Sequence, residues 1–312
     1  MVDLDLHRLR LLRELEVRGT LHAVAVALSY SPSAVSQQLA VLEREVGVRL
    51  LEKAGRGVRL TDAAHVLARH AAGLLSAAEA AAADLASLSR DVRGVVRASG
   101  LQSATRHILI PAAAGLTSEH PQLRLEVSEL ELKQALPDLL LGSLDVVVSD
   151  EYDGHPRPRP AGLAFTVLHE EPLKLVLPAA HPQAEHAGPV DVAALRRDVW
   201  TSSAAGTGHH AVVVGTCRAL GGFEPDLRYR SNDADVQLGF VRATAAVALL
   251  PTLILPPSDP ALAVRDAAGA VVGRRLVIVT REGPTSPALE VFLTAVTRRA
   301  HELVRDPPGT SS

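Results

Sequence analysis

The sequence predicts an α/β protein of several domains: an N-terminal winged helix-turn-helix, a long linker helix, and a pair of α/β lobes. Three observations predict this. The first ninety residues carry helical periodicity interrupted by tight turns; two short basic strands flank a Gly55-Arg56-Gly57 turn; and past Asp91-Gly94 strand and helix patterns alternate. At 312 residues the chain exceeds one core of usual size, so two or three domains are expected. The boundaries read as 1–61 for the winged domain, 62–90 for the linker, 91–305 for the two lobes and 306–312 for a disordered tail.

The N-terminal elements follow in order. Leu6, Leu9, Leu12 and Leu15 recur at helical spacing, and Gly19-Thr20 ends that helix while capping the next, His22–Leu28. Ser31 is a good N-cap for a third helix, and Pro32 sits at its first position, where the missing N–H costs nothing. Val35, Leu39, Leu42 and Val46 make its apolar stripe, and Gly47 closes it. Off that stripe lie Ser33, Ser36, Gln37 and Gln38. A second short helix presenting serine and amide side chains from its first turns suits DNA recognition: Gln makes bidentate bonds to adenine, and Ser serves base edges or phosphate. The run RLLEKAGRGVRLT, Arg49 to Thr61, then sets Arg49, Lys53, Arg56 and Arg59 against one acid, Glu52, which reads as a basic β-hairpin wing.

Thr61-Asp62 caps an alanine-rich helix running to about Arg90. Leu67, Ala71, Leu74, Ala78, Ala81, Leu85 and Leu88 form a heptad seam along it, and no adjacent segment offers a matching partner, so self-association through this helix is expected.

Composition limits the alternatives. Hydrophobic residues are 47% and charged residues 21%, which suits a folded chain. The net charge of −3 excludes a global attraction to nucleic acid, so DNA affinity must come from a local patch. Cys217 is the single cysteine, which excludes an intrachain disulfide and a cysteine-based zinc cluster. The start MVDLDLHRLRLLRELE lacks the order of a signal peptide, and the longest apolar run, 243–255, contains Pro251 and falls short of the ~20 residues that span a bilayer. Cytoplasmic residence without membrane contact is the expectation.

From Leu4 to Leu88 the chain resembles the N-terminal domain of LysR-type transcriptional regulators. The stretch GTLHAVAVALSYSPSAVSQQLAVLEREVGVRLLEKAGRGVRLT carries that resemblance almost continuously. It implies that Ser31, Ser33, Ser36, Gln37 and Gln38 face DNA and that Arg56 and Arg59 serve the wing. It also implies a dimer or dimer of dimers on double-stranded promoter DNA bearing an interrupted inverted repeat, with contact to RNA polymerase when activating. The chain departs from the family at Pro32-Ser33, where many relatives carry Gln-Pro, and at Gln37, where many carry Arg. Base preference is therefore not transferable.

The rest alternates as strand Val95–Ser99, helix Arg106–Glu119, strand Leu123–Leu130, helix Lys133–Leu141 and strand Leu144–Ser149. A Pro-rich crossing, Tyr152 to Gly162, leads to strands Ala164–His169 and Leu173–Leu177, helix Asp191–Arg197, strand Val199–Ser202, helix His209–Leu220, strand Leu227–Ser231, helix Ala234–Arg242 and strand Val247–Leu250. Strand Arg275–Thr280 and helix Ser286–Val304 return to the first sheet. Two hinged lobes place a ligand site between them. This region, too, resembles the family, whose effector domain is similar to periplasmic solute-binding proteins.

Strand ends nominate the ligand-facing residues. Ser99 precedes GLQSAT, so Gln102, Ser103 and Thr105 with backbone N–H groups make one polar mouth. Thr201, Ser202 and Ser203 make the facing one, joined by Asn232 and Asp233. The positions match those through which family members contact effectors, and a small polar or carboxylate-bearing metabolite is expected, with Asp233 the residue that would instead favour an amine. Ala245 and Ala246 replace a Gly-rich turn of relatives, which predicts a narrower pocket there. GxSxG, P-loop, HExxH and GxGxxG patterns are absent and no cofactor is expected. The adjacent pair His209-His210 suits the first turn of a helix better than a metal site, and Cys217, without a resolving partner, is weak as a redox sensor.

Overall fold

The computed structural model describes residues 4–55, 57–87, 92–270 and 272–305. Arg56, Leu88 and the 306–312 tail therefore lie outside the described residues.

Three helices, α1 (Leu6–Arg18), α2 (Leu21–Leu28) and α3 (Pro32–Val46), pack around Leu9, Leu12, Val24, Val35, Leu39 and Leu42, all fully buried. Leu6 of the expected stripe is exposed, and Leu11 is buried instead. Ser31 Oγ accepts from the Ala34 N–H at 3.1 Å and Gly47 ends α3 at φ 71°, so both boundaries fall where the capping residues put them. The wing is β1 (Leu51–Ala54) paired antiparallel with β2 (Gly57–Leu60). Glu43 of α3 fixes it: Oε1 accepts from the N–H groups of Leu50 and Leu51 at 2.7 and 2.9 Å.

The linker helix α4 (Asp62–Ser87) divides along its length. Ala64, Ala68 and Ala71 are buried in the N-terminal core beside Leu9 and Leu12, so its first half does have a partner within the chain, namely α1. Leu74, Ala78, Ala81 and Leu85 are exposed. Small alanines allow α1 to approach closely; beyond them nothing in the described chain covers the seam.

The remaining strands form two lobes joined through one sheet. In the first lobe β3 (Gly94–Gly100) pairs in parallel with β4 (Leu123–Glu129) and β5 (Val146–Tyr152), while α6 (Ile110–Glu119) and α10 (Pro287–Arg305) cover one face and α7 (Leu132–Leu141) the other; α5 (Gln102–Ala104) leads into α6 through a π turn, Thr105–Leu109. β6 (Leu163–Pro178) first pairs antiparallel with β11 (Gly273–Arg281), then continues into the second lobe between β9 (Ala248–Pro251) and β10 (Leu262–Arg265). The second lobe adds β7 (Val199–Ser202) paired with β8 (Asp226–Arg230), α8 (Gly208–Thr216) and α9 (Ala234–Thr244), around Trp200, Leu175, Leu195, Val213 and Leu249.

This corrects the expected connection. The Pro-rich segment after Tyr152 does not carry the chain between lobes, because β6 begins beside β11 in the first lobe and itself makes the crossing. Glu170-Glu171-Pro172 looks like a strand break in sequence, yet Glu171 is buried and paired, so the strand runs on. Helix Asp191–Arg197 shrinks to a 3-10 turn, Val192–Leu195, and β10 was not foreseen.

Candidate functional site

Two faces gather chemistry-bearing side chains. On α3, Ser31, Ser33 and Gln37 are exposed, and Ser36 and Gln38 half-buried. Ser31 and Ser33 share a hydroxyl–hydroxyl bond of 2.9 Å, so Ser31 is committed both to its neighbour and to the helix cap. Gln38 is committed as well: Arg8 Nε of α1 donates to its Oε1 at 3.1 Å, and Arg8 also reaches Glu45 at 2.5 Å. Its carbonyl is held inside the protein, leaving the amide N–H groups to face outward. Gln37 makes no hydrogen bond to a described residue and keeps both halves of its amide for another molecule. In the wing, Arg59 is exposed and ion-paired with Glu52 across the hairpin; Arg56 lies outside the described residues.

The second face is a cleft between the lobes with a cavity of about 50 Å³. Gln102, Ser103, Ser203 and Asn232 line it. Ser99, Thr105, Thr201, Ser202 and Asp233 do not, and each has a local reason. Ser99 Oγ donates to the Ser128 carbonyl and Thr105 Oγ1 to that of Gly100, which tie β3 to β4 and to its own following turn. Thr201 and Ser202 are wholly buried in the second lobe, Ser202 Oγ donating to the Ser203 carbonyl. Asp233 caps α9, its Oδ1 accepting from the N–H groups of Asp235 and Val236. Ala245 ends α9 in the left-handed region at φ 57°, so the glycine expected there answers a backbone requirement at a helix end rather than the approach of a ligand.

Sequence reasoning missed most of the charged lining. Arg274, at the start of β11, is buried beneath the cleft; its Nε and Nη2 donate to Glu171 Oε1 at 3.0 and 2.5 Å and its Nη1 to Ser103 Oγ at 3.1 Å. Glu171 Oε2 accepts from the Leu253 N–H and the Thr252 hydroxyl, so this carboxylate is saturated. The adjacent carboxylates hold Arg274 protonated against the cost of burial. Asp150 accepts from Arg157 Nη2 at 2.6 Å, and Arg157 Nε donates to the Asp150 carbonyl at 2.5 Å. Glu131, half-buried at the cleft wall, lies 3.9 Å from Arg157. Burial, with the Asp150 charge nearby, holds its carboxyl above the usual carboxylate range.

His209 is buried with both ring nitrogens engaged. Nδ1 accepts from the Ser203 N–H at 3.1 Å and Nε2–H donates to the Leu249 carbonyl at 2.8 Å, which fixes the neutral tautomer that burial favours. Both nitrogens are spent, so it has no lone pair for a metal, and no metal-holding group of His, Cys, Asp or Glu occurs among the described residues. Gln237 Nε2 donates to the Ser231 carbonyl at 2.7 Å and to Ser203 Oγ at 3.4 Å; its Oε1, fully buried, accepts nothing. The lobes are tied at the cleft's edge by Gln102 Oε1, which accepts from the Ala234 N–H at 3.4 Å, and by an Arg106–Asp235 ion pair.

Residues 6–65 match the model of the bacterial regulatory helix-turn-helix protein, lysR family, and residues 89–301 that of the LysR substrate binding domain. A probable hydrogen peroxide-inducible genes activator of Mycobacterium xenopi is 33% identical over 160 residues, 51% of this chain and 82% of that protein. A full-length OxyR variant of Pseudomonas aeruginosa superposes with a TM-score of 0.66 at 20% identity, covering 95% of this chain and 98% of that one. CbnR, a LysR family regulator solved with its target DNA, superposes at 0.53 with 21% identity over 95% and 100% of the two chains. At these identities the structures establish the shared fold. Against other curated relatives the chain spans 55% and 50% of their length.

Proposed function

The chain belongs to the LysR family of transcriptional regulators, a DNA-binding domain joined to an effector-binding domain, and from that premise we propose how its parts divide the work. Helix α3 enters the major groove of promoter DNA, Gln37 reads a base edge, and Ser31, Ser33, Ser36 and the N–H groups of Gln38 contact phosphate or bases. The wing, with Arg59 and Arg56, follows the backbone. The exposed second half of α4 covers itself against a second copy, which gives binding a two-fold axis and an operator with an interrupted inverted repeat. A small molecule enters the interlobe cleft through Gln102, Ser103, Ser203 and Asn232, and biases how far the lobes close. Dimer-of-dimers assembly, contact with RNA polymerase and cytoplasmic residence belong to the same proposal.

The observation that carries the DNA reading is the state of Gln37, exposed with donor and acceptor both uncommitted at the first turns of a capped helix. Gel shifts on the promoter flanking the gene, with base-substituted variants, test it. Gln37→Ala should change base preference at one position of each half-site, while Arg56→Ala should weaken binding to all sequences and lower the salt slope by about one. Equal effects of both substitutions on every operator variant would sink the division into base and phosphate contacts.

Peroxide sensing of the kind named for the Mycobacterium relative is disfavoured. Cys217 is fully buried among apolar side chains, which push its thiol up to about 12, so it holds almost no thiolate for peroxide to oxidise.

A further inference from the structure

We propose that the effector carries a protonated amine, recognised by Glu131 and Asp150 on the first lobe and completed by the free carbonyl of Gln237 on the second. This rests on the reading of the interlobe cleft as the effector site. Three carboxylates, Glu131, Asp150 and Glu171, stand in and under the cleft against two guanidiniums, Arg157 and Arg274. Each guanidinium already faces a carboxylate partner. Arg274 is locked onto Glu171 and Ser103, and Arg157 onto the side chain and carbonyl of Asp150. With Arg157 neutralised by Asp150 and Arg274 by Glu171, the third carboxylate, Glu131, keeps only a 3.9 Å contact to Arg157. An anion in this space would meet the surplus negative charge, whereas an ammonium removes it.

Gln237 points the same way by an independent route. Its Nε2 donates to a main-chain carbonyl, which fixes the orientation of the amide, so the buried atom left without a partner is the acceptor Oε1. An acceptor buried in the wall of a cleft is satisfied by a ligand N–H and not by a carboxylate. Burial, with the Asp150 charge nearby, raises the Glu131 carboxyl above the usual carboxylate range, and a cation beside it opposes that shift. With a volume of about 50 Å³, the cavity suits a small amine or the charged end of a longer one.

The test is thermal shift and calorimetry on the full chain with ethanolamine, putrescine and agmatine set against acetate, succinate and benzoate. At least one amine should raise the unfolding temperature while the three acids leave it unmoved. Glu131→Gln, isosteric and folded by circular dichroism, should weaken that amine by about tenfold to a hundredfold, and Asp150→Asn should weaken it in the same sense. Stabilisation by the acids, tightened by Glu131→Gln, would overturn the amine proposal and leave the cleft as the effector site. Silence of both classes at millimolar concentration, in the native protein and in the variants, would overturn the amine proposal and the effector reading together.

Discussion

At the scale of single residues, the cost of each polar group depends on whether its partners remain. Arg274 and Glu171 are both nearly inaccessible, with every oxygen of Glu171 already bonded. Removing the guanidinium leaves a buried carboxylate facing no charge, so Arg274→Ala should lower unfolding free energy by about 3–5 kcal/mol in denaturant titration. A loss below 1 kcal/mol would mean that water replaces the arginine without penalty. Ala245 has the opposite sign. It holds φ 57° with a Cβ, and Ala245→Gly should raise stability by about 1 kcal/mol, read as a higher denaturation midpoint at unchanged slope. Gln37 and Gln38 are adjacent amides in the sequence, and the structure separates them. Arg8, thirty residues earlier, takes the carbonyl of Gln38, and no local pattern announces that bond.

At the scale of elements, α4 shows how one helical repeat serves two neighbours. Its alanines at 64, 68 and 71 are spaced to meet α1, and the leucines that continue the seam emerge beyond the end of that contact. Leu85 is 70% exposed, a large apolar area for a helix with no covering partner in the described chain. Under the proposed self-association, Leu85→Glu should shift the chain to monomer in analytical ultracentrifugation while leaving its circular dichroism intact; an unchanged sedimentation coefficient would remove α4 from the interface. The heptad was legible in the sequence because period 3.5 is a local property. Its division between α1 and solvent was not, because α1 lies more than forty residues away. The same holds for β6, whose two halves read as two strands until Arg274 pairs with the glutamate at the apparent break.

At the scale of the whole molecule, the two lobes and the winged domain are linked by polar contacts. Arg18 of α1 reaches Glu14 and Asp138 of α7 at 2.6 Å, and Arg281 reaches Glu79 of α4 at 3.5 Å, so the first lobe is in direct contact with the winged domain and its linker helix. Under the proposed effector response, these contacts are the place where a change in the first lobe would meet α1 and α4. Acid sensitivity also belongs here. Burial lowers the pKa of His209 below its ordinary value of 6.5, so the folded state prefers the neutral ring. Stability from this group is complete above the unfolded pKa and is lost as pH falls from about 6.5 toward the folded value, at up to about 1.4 kcal/mol per pH unit. Urea titrations at pH 7, 6 and 5 should show that decline; a flat profile would mean that His209 protonates in place.

The sequence by itself determined the order of domains, the capped recognition helix, the basic wing and nearly every strand and helix of the lobes, because caps, turns and hydrophobic periods act over a few residues. It also placed four of the cleft-lining residues, Gln102, Ser103, Ser203 and Asn232, at strand ends and loops where α/β folds expose their backbone. Only the tertiary structure decided which polar groups are already spent. Glu131, Asp150, Gln237 and Arg274 come from separate elements up to 143 positions apart in the chain, and their charge balance exists only where the lobes meet. The sequence left both an acid and an amine open for the cleft, and that balance is what the amine proposal rests on, since electrostatics depends on distance in space and the sequence records only distance along the chain.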